Sequence, residues 1–344
     1  MVDELHIREG REGDTGQILD LLKASLGEGS IPRHREYWSW KHLRNPFGES
    51  PYLVAESGGR VVGLRVFMRW TWERQGETVH AVRAVDTATH PDWRGKGIFT
   101  RLTLALVEQL SAEGVSFVFN TPNEQSRPGY LKMGWAAVGR LSLWARPRPL
   151  RALGSFAGRG SGEEVDTGVG DGQAGSEGRP VAGLLTEPGL GRLLADSRPR
   201  DGRLGTPVSA EYLSWRYADI PGFEYRAAWA LDPGEEAAVI FRFRPRGRLL
   251  ELRFTEILAG PSRGAARRAG ALLRTALRKT SADYAVAMAA PRTQARRALL
   301  LAGFLPVPRL GPILTVRPLS AEAGGTVPCD RSSWRLSIGD LELF

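Results

Sequence analysis

Two short patterns in this chain recur at matched places, and a sequence that repeats itself at domain-length separation is constrained to fold as two related units. Glu36-Tyr37-Trp38-Ser39-Trp40-Lys41 reads against Glu211-Tyr212-Leu213-Ser214-Trp215-Arg216. A proline turn and an aromatic residue follow each: Asn45-Pro46-Phe47 in the first, Ile220-Pro221-Gly222-Phe223 in the second. Further on, Leu131-Lys132-Met133-Gly134-Trp135 matches Leu300-Leu301-Ala302-Gly303-Phe304. An internal repeat ranks above any single motif as evidence of architecture, and this one predicts a tandem duplication of one α/β domain. Between the copies, Gly154, Gly158, Gly160, Gly162, Gly168, Gly170, Gly172, Gly175 and Gly178 alternate with Ser, Glu and Asp. Such a stretch buries too little apolar surface to offset its ordering entropy. The expected division is 1–150, a flexible linker 151–183, a second copy 184–320 and a tail 321–344.

The composition admits this reading. With 344 residues, 42% apolar and 25% charged, the chain has the makeup of a globular protein of two ordinary domains, which excludes disordered, collagen-like and disulfide-stapled classes. Cys329 is the only cysteine, so no intramolecular disulfide forms. The start MVDELHIREG lacks the basic and apolar regions of a signal peptide, and no apolar run reaches the roughly 18 residues that span a bilayer. A cytoplasmic location with no membrane partner is the expectation. The 47 basic and 38 acidic residues leave +9, and Lys stands only at 23, 41, 96, 132 and 279, a skew that a GC-rich coding bias produces. Nucleic acid is therefore open as a partner but not favoured.

In the first copy, Ile18, Leu21, Leu22 and Leu26 share one helical face, so a helix comes first. The runs Tyr52 to Glu56, Val61 to Met68 and Glu77 to Thr89 are β-branched and separated by Ser57-Gly58-Gly59 and Gln75-Gly76, a strand meander. A helix from about Gly97 to Glu113, a strand Val115 to Asn120, a helix Ser126 to Met133 and a last strand through Leu141 to Trp144 complete a mixed sheet with helices on its faces.

The chemistry centres on Val85-Asp86-Thr87-Ala88-Thr89-His90-Pro91-Asp92-Trp93-Arg94-Gly95-Lys96-Gly97-Ile98-Phe99. A strand ends, Pro91 breaks the ladder and a Gly-rich turn opens a helix, an arrangement suited to a polyphosphate. Gly95 and Gly97 admit close backbone approach, N–H groups at the helix start donate to phosphate oxygens, and Arg94, Lys96 and Arg101 add charge. The spacing is neither Gly-x-Gly-x-x-Gly nor a Gly-Lys-Ser/Thr loop.

These residues resemble the GNAT superfamily of acyl-CoA-dependent N-acyltransferases, whose signature is Gln/Arg-x-x-Gly-x-Gly/Ala. Arg94-Gly95-Lys96-Gly97-Ile98-Phe99 fits except at its last place, where Phe99 replaces a small residue. The family's downstream Asn-x-x-Ala, Tyr and Gly-Phe are matched by Asn123, Ser126, Tyr130 and Gly134-Trp135. The resemblance implies an α/β fold of tandem GNAT-like domains, each a mixed, mostly antiparallel sheet with helices on both faces. It further implies a V-shaped opening between neighbouring strands for the pantetheine arm of acetyl-CoA, the acyl donor, with Asp86, Thr87 and Thr89 pairing with its amides. The turn Arg94 to Phe99, Ile98 included, would hold the pyrophosphate, Asn123 and Ser126 would complete the cofactor site, and Tyr130 stands where many members keep the acid for the departing thiolate. Tyr130 is also readable as a packed aromatic.

An amine attacks only when neutral, so a base is needed. Asp86 is the expected base, with partial burial raising its pKa; His80, His90, Glu36 and Glu124 are weaker candidates, and the glutamate place of histone-type members falls near Ala81. No metal spacing exists among the five histidines and one cysteine. In the second copy the counterpart turn, Ala259-Gly260-Pro261-Ser262-Arg263-Gly264, has lost Gly-x-Gly and the tyrosine place falls at Leu299, so this copy is expected to be degenerate and to complete the acceptor cleft. Arg263, Arg267, Arg274 and Arg278 form a basic stripe on the helix 263–279, readable as a solvated face or as contact with a phosphorylated acceptor or nucleic acid. The expected activity is acetyl transfer to the primary amine of a small molecule, an amino sugar being one candidate. The alternatives are a non-catalytic module binding CoA or nucleic acid, or a Fem-type aminoacyl transferase. Oligomeric state is not legible.

Overall fold

Two sheets form, and each takes in at least one strand from the other half of the chain. The computed structural model describes residues 4–27, 32–148, 178–198, 201–307, 309–319 and 329–341. The first half contributes β1 (His6–Glu9), β2 (Tyr52–Ser57), β3 (Arg60–Arg74), β4 (Glu77–Thr89), β5 (Phe117–Asn120), β6 (Ala136–Arg140) and β7 (Leu143–Pro147). The second contributes β8 (Arg179–Pro180), β9 (Leu204–Gly205), β10 (Arg226–Ala230), β11 (Ala237–Arg246), β12 (Leu249–Ala259), β13 (Tyr284–Ala287), β14 (Leu305–Val307), β15 (Ile313–Pro318) and β16 (Trp334–Arg335). One sheet of nine strands runs β1-β2-β3-β4-β5-β15-β6, with β9 joined to β3 and β16 to β9, and the other runs β14-β7-β13-β12-β11-β10-β8. The middle orders correspond strand for strand, with β15 inserted in the first where β7 is inserted in the second. The expectation that the strand through Leu141–Trp144 closes the first sheet is therefore corrected: β7 pairs with β13 and β14. No local pattern records such an exchange, because the alternation of a strand is the same whichever sheet receives it.

The helices of the first half are α1 (Thr15–Leu26), α2 (Arg35–Trp38), α3 (Ile98–Ala112) and α4 (Arg127–Lys132). α1 covers one face of the first sheet, where Ile18, Leu21 and Leu22 pack with Val54, Leu64 and Val66. α3 and α4 cover the other, where Leu102, Leu106 and Tyr130 pack with Phe67, Val82 and Val118. A strand, β1, precedes α1, so the expectation that a helix comes first is also corrected; four residues of mixed exposure carry too little alternation to be found. The linker expected at 151–183 lies outside the described residues as far as 177, and its end is regular structure, β8 followed by the helix Val181–Leu185. Of the expected tail, 321–328 and 342–344 lie outside the described residues.

The repeated hexapeptides meet at the centre. Each runs from a short helix into a π-helical turn, Ser39–Leu43 and Ser214–Ala218. Trp40 and Trp215 stack at 5.2 Å and 18°. Trp40 Nε1 donates to the Trp215 carbonyl at 2.6 Å and Trp215 Nε1 to the Trp40 carbonyl at 2.9 Å. This reciprocity is what a pseudo-two-fold axis imposes, and the aromatic cluster around it, with Phe47, Trp70 and Tyr212, joins the halves into one core. Aromatic pairs of this kind add about 0.5–1.5 kcal/mol beyond their area.

Candidate active site

Strand β4 sets the geometry. It pairs with β3 along its length, but its parallel ladder with β5 covers only Ala81–Arg83 against Phe117–Phe119. From Ala84 to Thr89 the edge facing β5 has no ladder partner among the described residues, which leaves unpaired backbone groups along one arm of a V. The register with β3 also slips there: Val66 pairs with Val85 and Arg65 with Thr87, leaving Asp86 as a bulged residue. A bulge re-aims its side chain, and Asp86 turns toward α1 and α2.

At the top of β4 the chain makes the 3-10 turn Pro91–Trp93 and then the glycine turn. Gly95 and Gly97 have φ of +77° and +71°, and a Cβ at either would meet no atom within 4 Å. Both are glycine for left-handed backbone rather than for space. No side chain caps the start of α3, so its first N–H groups keep the orphan character that suits an anion. Lys96 Nζ lies 4.1 Å from the centre of the Trp93 ring, and Arg94 Nη2 donates to the Ser25 carbonyl at 3.2 Å. Asn123 and Ser126 serve each other: Asn123 Oδ1 accepts from the Ser126 amide at 2.8 Å and hydroxyl at 2.9 Å, fixing the start of α4. Tyr130 is 4% exposed and meets Phe99 edge-on at 5.6 Å. Tyr130 and Asp86 thus sit on opposite faces of the sheet, with the open edge of β4 between them.

Asp86 is held more tightly than expected. Lys41 Nζ lies 2.8 Å from Asp86 Oδ2, and so does His42 Nε2. A carboxylate can only accept, which puts a proton on Nε2, while His42 Nδ1 lies 3.0 Å from Ser50 Oγ. Lys41 is 3% and His42 0% exposed, but Asp86 retains 24% and lines a cavity of about 50 Å³ with Leu22, Arg33, Tyr37 and Trp38. Burial pushes the carboxyl up, but the Lys41 charge and the His42 hydrogen bond together pull it well below the usual carboxylate range. The expected upward shift is therefore corrected: the repeat segment delivers two proton-rich side chains to the carboxylate. Lys41 was legible as a repeat marker, but its pairing with Asp86, like that of His42 at a separation of 44 residues, has no local signal.

The second half keeps a counterpart. Asp86 lies three positions past Arg83, where the β4–β5 ladder ends, and Glu256 three past Arg253, where the β12–β13 ladder ends. Tyr217, in the place of His42, donates to Glu256 Oε1 at 2.7 Å, whereas Arg216, in the place of Lys41, turns to the Gly339 carbonyl at 3.2 Å. Burial, then the nearby Asp340, pushes Glu256 up to about 8. Ser337 donates to the same oxygen at 3.0 Å, so the C-terminal segment fills this position. It then reaches the first sheet, where Arg83 donates to the carbonyls of Asp340, at 2.8 Å, and Leu341.

Arg65 was missed. It is 0% exposed, and Nε, Nη1 and Nη2 have no hydrogen-bond partner among the described residues. Its guanidinium carbon lies 4.6 Å from the Phe67 ring centre, 5.4 Å from Tyr130 and 5.7 Å from Phe99. An unpaired buried charge costs several kcal/mol, against roughly 2 kcal/mol from a desolvated ring face. Among the described residues no group of three or more His, Cys, Asp or Glu side chains could hold a metal, and no helix is long and apolar enough to cross a membrane.

Residues 6–138 match the family model described as "Acetyltransferase (GNAT) domain". No curated protein sequence matches the chain. Solved structures do. A GCN5-related N-acetyltransferase from Kribbella flavida aligns with a TM-score of 0.62 at 17% identity, over 94% of this chain and 73% of that one. Its counterpart from Anabaena variabilis gives 0.63 at 13% identity, over 93% and 74%. A probable N-acyltransferase from Enterococcus faecalis gives 0.63 at 11%, over 93% and 74%. Residues 6–138 therefore match a GNAT acetyltransferase domain, in a chain whose two-sheet fold is shared with GCN5-related N-acetyltransferases along nearly its whole length.

Proposed function

We propose that the protein transfers an acetyl group from acetyl-CoA to the primary amine of a small molecule, an amino sugar being one candidate. The observation that carries this reading is the unpaired edge of β4 between Ala84 and Thr89, leading into an uncapped, glycine-opened helix start. An extended amide chain pairs with such an edge, and a diphosphate suits the turn from Arg94 to Phe99. Asn123 and Ser126 shape the adjoining start of α4, and Thr87 and Thr89 belong to the edge itself.

In this mechanism the donor threads the V, bringing the thioester between the two faces of the sheet. The amine approaches from the cavity beside Asp86, whose carboxylate stays ionised and attracts the acceptor ammonium in competition with Lys41. After the ammonium gives its proton to water at the open edge, nitrogen bonds to the acyl carbon and the carbon–sulfur bond breaks. Tyr130, on the other face, returns the proton of its hydroxyl to the departing thiolate. The second half supports the acceptor side, since its Trp215 and Phe223 pack against Trp40 and Tyr37 below the cavity.

Calorimetric titration of acetyl-CoA into the wild type and Gly97→Glu tests the donor site: micromolar binding is expected, and loss in the variant. An amine screen then follows with Tyr130→Phe, whose turnover is expected to fall about 100-fold with unchanged CoA affinity. A wild type that binds no CoA would overturn the reading.

A further inference from the structure

We propose that Arg65 is a donor-recognition residue, its guanidinium meeting an anionic group at the reacting end of the bound thioester. The inference rests on the acyl-CoA reading above. Arg65 stands opposite Thr87, next to the bulged Asp86, on the strand that flanks the open arm of the V. Its side chain ends among Phe67 of its own strand, Phe99 of the first turn of α3 and Tyr130 of α4. The last two belong to the elements that bound the opening on the donor face. The guanidinium is fully buried and its three nitrogens have no acceptor among the described residues, yet the ring faces around it hold its plane. Arginine stays charged in such a setting, so the position presents a fixed cation beside the phenol assigned to protonate sulfur. The missing small residue of the glycine turn fits the same picture, because Phe99 supplies one wall of this cage.

Two sources of negative charge belong to the reacting end of the donor. One is the sulfur itself: when the amine nitrogen bonds to the acyl carbon, the electron pair of the broken carbon–sulfur bond rests on sulfur until Tyr130 delivers a proton. The other is a carboxylate at the far end of a dicarboxylic acyl chain. Both present anionic charge to a desolvated guanidinium, and they separate experimentally.

The thiol of CoA bound to the full-length protein is titrated by thiolate absorbance, and dissociation constants are measured for acetyl-CoA and succinyl-CoA, in the wild type and in Arg65→Met. If sulfur is the partner, the bound thiol titrates at least one pH unit below free CoA in the wild type and returns toward the free value in the variant. If the acyl carboxylate is the partner, the wild type binds succinyl-CoA at least tenfold more tightly than acetyl-CoA and the variant loses the preference. Arg65→Gln carries the same comparison should Arg65→Met fail to fold. A wild type that binds CoA with an unshifted thiol and no donor preference overturns the proposal by itself, as do variants that leave both readouts unchanged. A wild type that binds neither donor overturns the acyl-CoA reading and this inference with it.

Discussion

The chemistry of single residues here depends on what the fold brings beside them. Asp86 on an isolated strand is an ordinary carboxylate, and partial burial would move it toward a useful base. Lys41 and His42 reverse that direction. The stability this ion pair contributes is present at neutral pH and lost as pH falls through and below the ordinary carboxylate range, because the folded state binds that proton less readily than the unfolded chain. For catalysis, Asp86→Asn is expected to lower kcat/KM for the amine by about 100-fold or more while leaving the dissociation constant of CoA within a factor of two. Steady-state kinetics beside calorimetry separates these, and equal losses in both would show that Asp86 only holds the bulge. In the sequence, Asp86 and Tyr130 were legible because each adjoins a spaced motif. Arg65 was not, since an arginine in a run of alternating strand residues reads as solvent-facing until the packing of α3 and α4 shows otherwise.

At the scale of elements, the π-helical turns and the C-terminal segment do most of the arranging. Each turn presents two consecutive polar side chains, Lys41-His42 in one half and Arg216-Tyr217 in the other: both of the first pair meet Asp86, whereas Tyr217 meets Glu256 and Arg216 meets the Gly339 carbonyl. Tyr217 is pushed well above its ordinary range by burial and by Glu256, so it keeps the proton it donates to Glu256. Because the folded-state pKa of Glu256, about 8, exceeds its unfolded value, this group's contribution is whole below pH 4.5 and lost as pH rises toward 8. A slope of up to about 1.4 kcal/mol per pH unit accompanies each proton. Glu256→Gln keeps the acceptor for Tyr217 without the charge, so Tm is expected to fall less between pH 5 and 8 in the variant. Parallel melting profiles over that window would remove Glu256 as the cause. The helices α1, α3 and α4 were legible from periodicity and turn residues. The face of α1 matches the expected one at Ile18, Leu21 and Leu22, since apolar spacing fixes which side of a helix is buried.

For the whole molecule, the exchange of β7 and β15 makes the halves interdependent. Residues 1–150 expressed alone lack β15, which lies between β5 and β6, and leave both edges of that gap unpaired. That fragment is expected to be insoluble or to show no cooperative melt, and co-expression with 178–344 is expected to restore one; a cooperative melt of the fragment alone would refute this. The fold of residues 6–138 had been readable from the glycine turn and the Asn123 to Trp135 segment, and the likeness of the two sheets from two pairs of matched hexapeptide and pentapeptide patterns. By itself the sequence determined local conformations: the glycine turn that opens α3, the apolar face of α1 and the meander of β2 to β4. Those follow from steric and burial preferences that act over a few residues. Only the tertiary structure decided which sheet each of the exchanged strands enters, that Trp40 meets Trp215 across the pseudo-axis, that Lys41 and His42 hold Asp86, and that Arg65 is caged. Those depend on contacts between residues far apart in the chain, whose energies are set by burial and charge that no short stretch of sequence specifies.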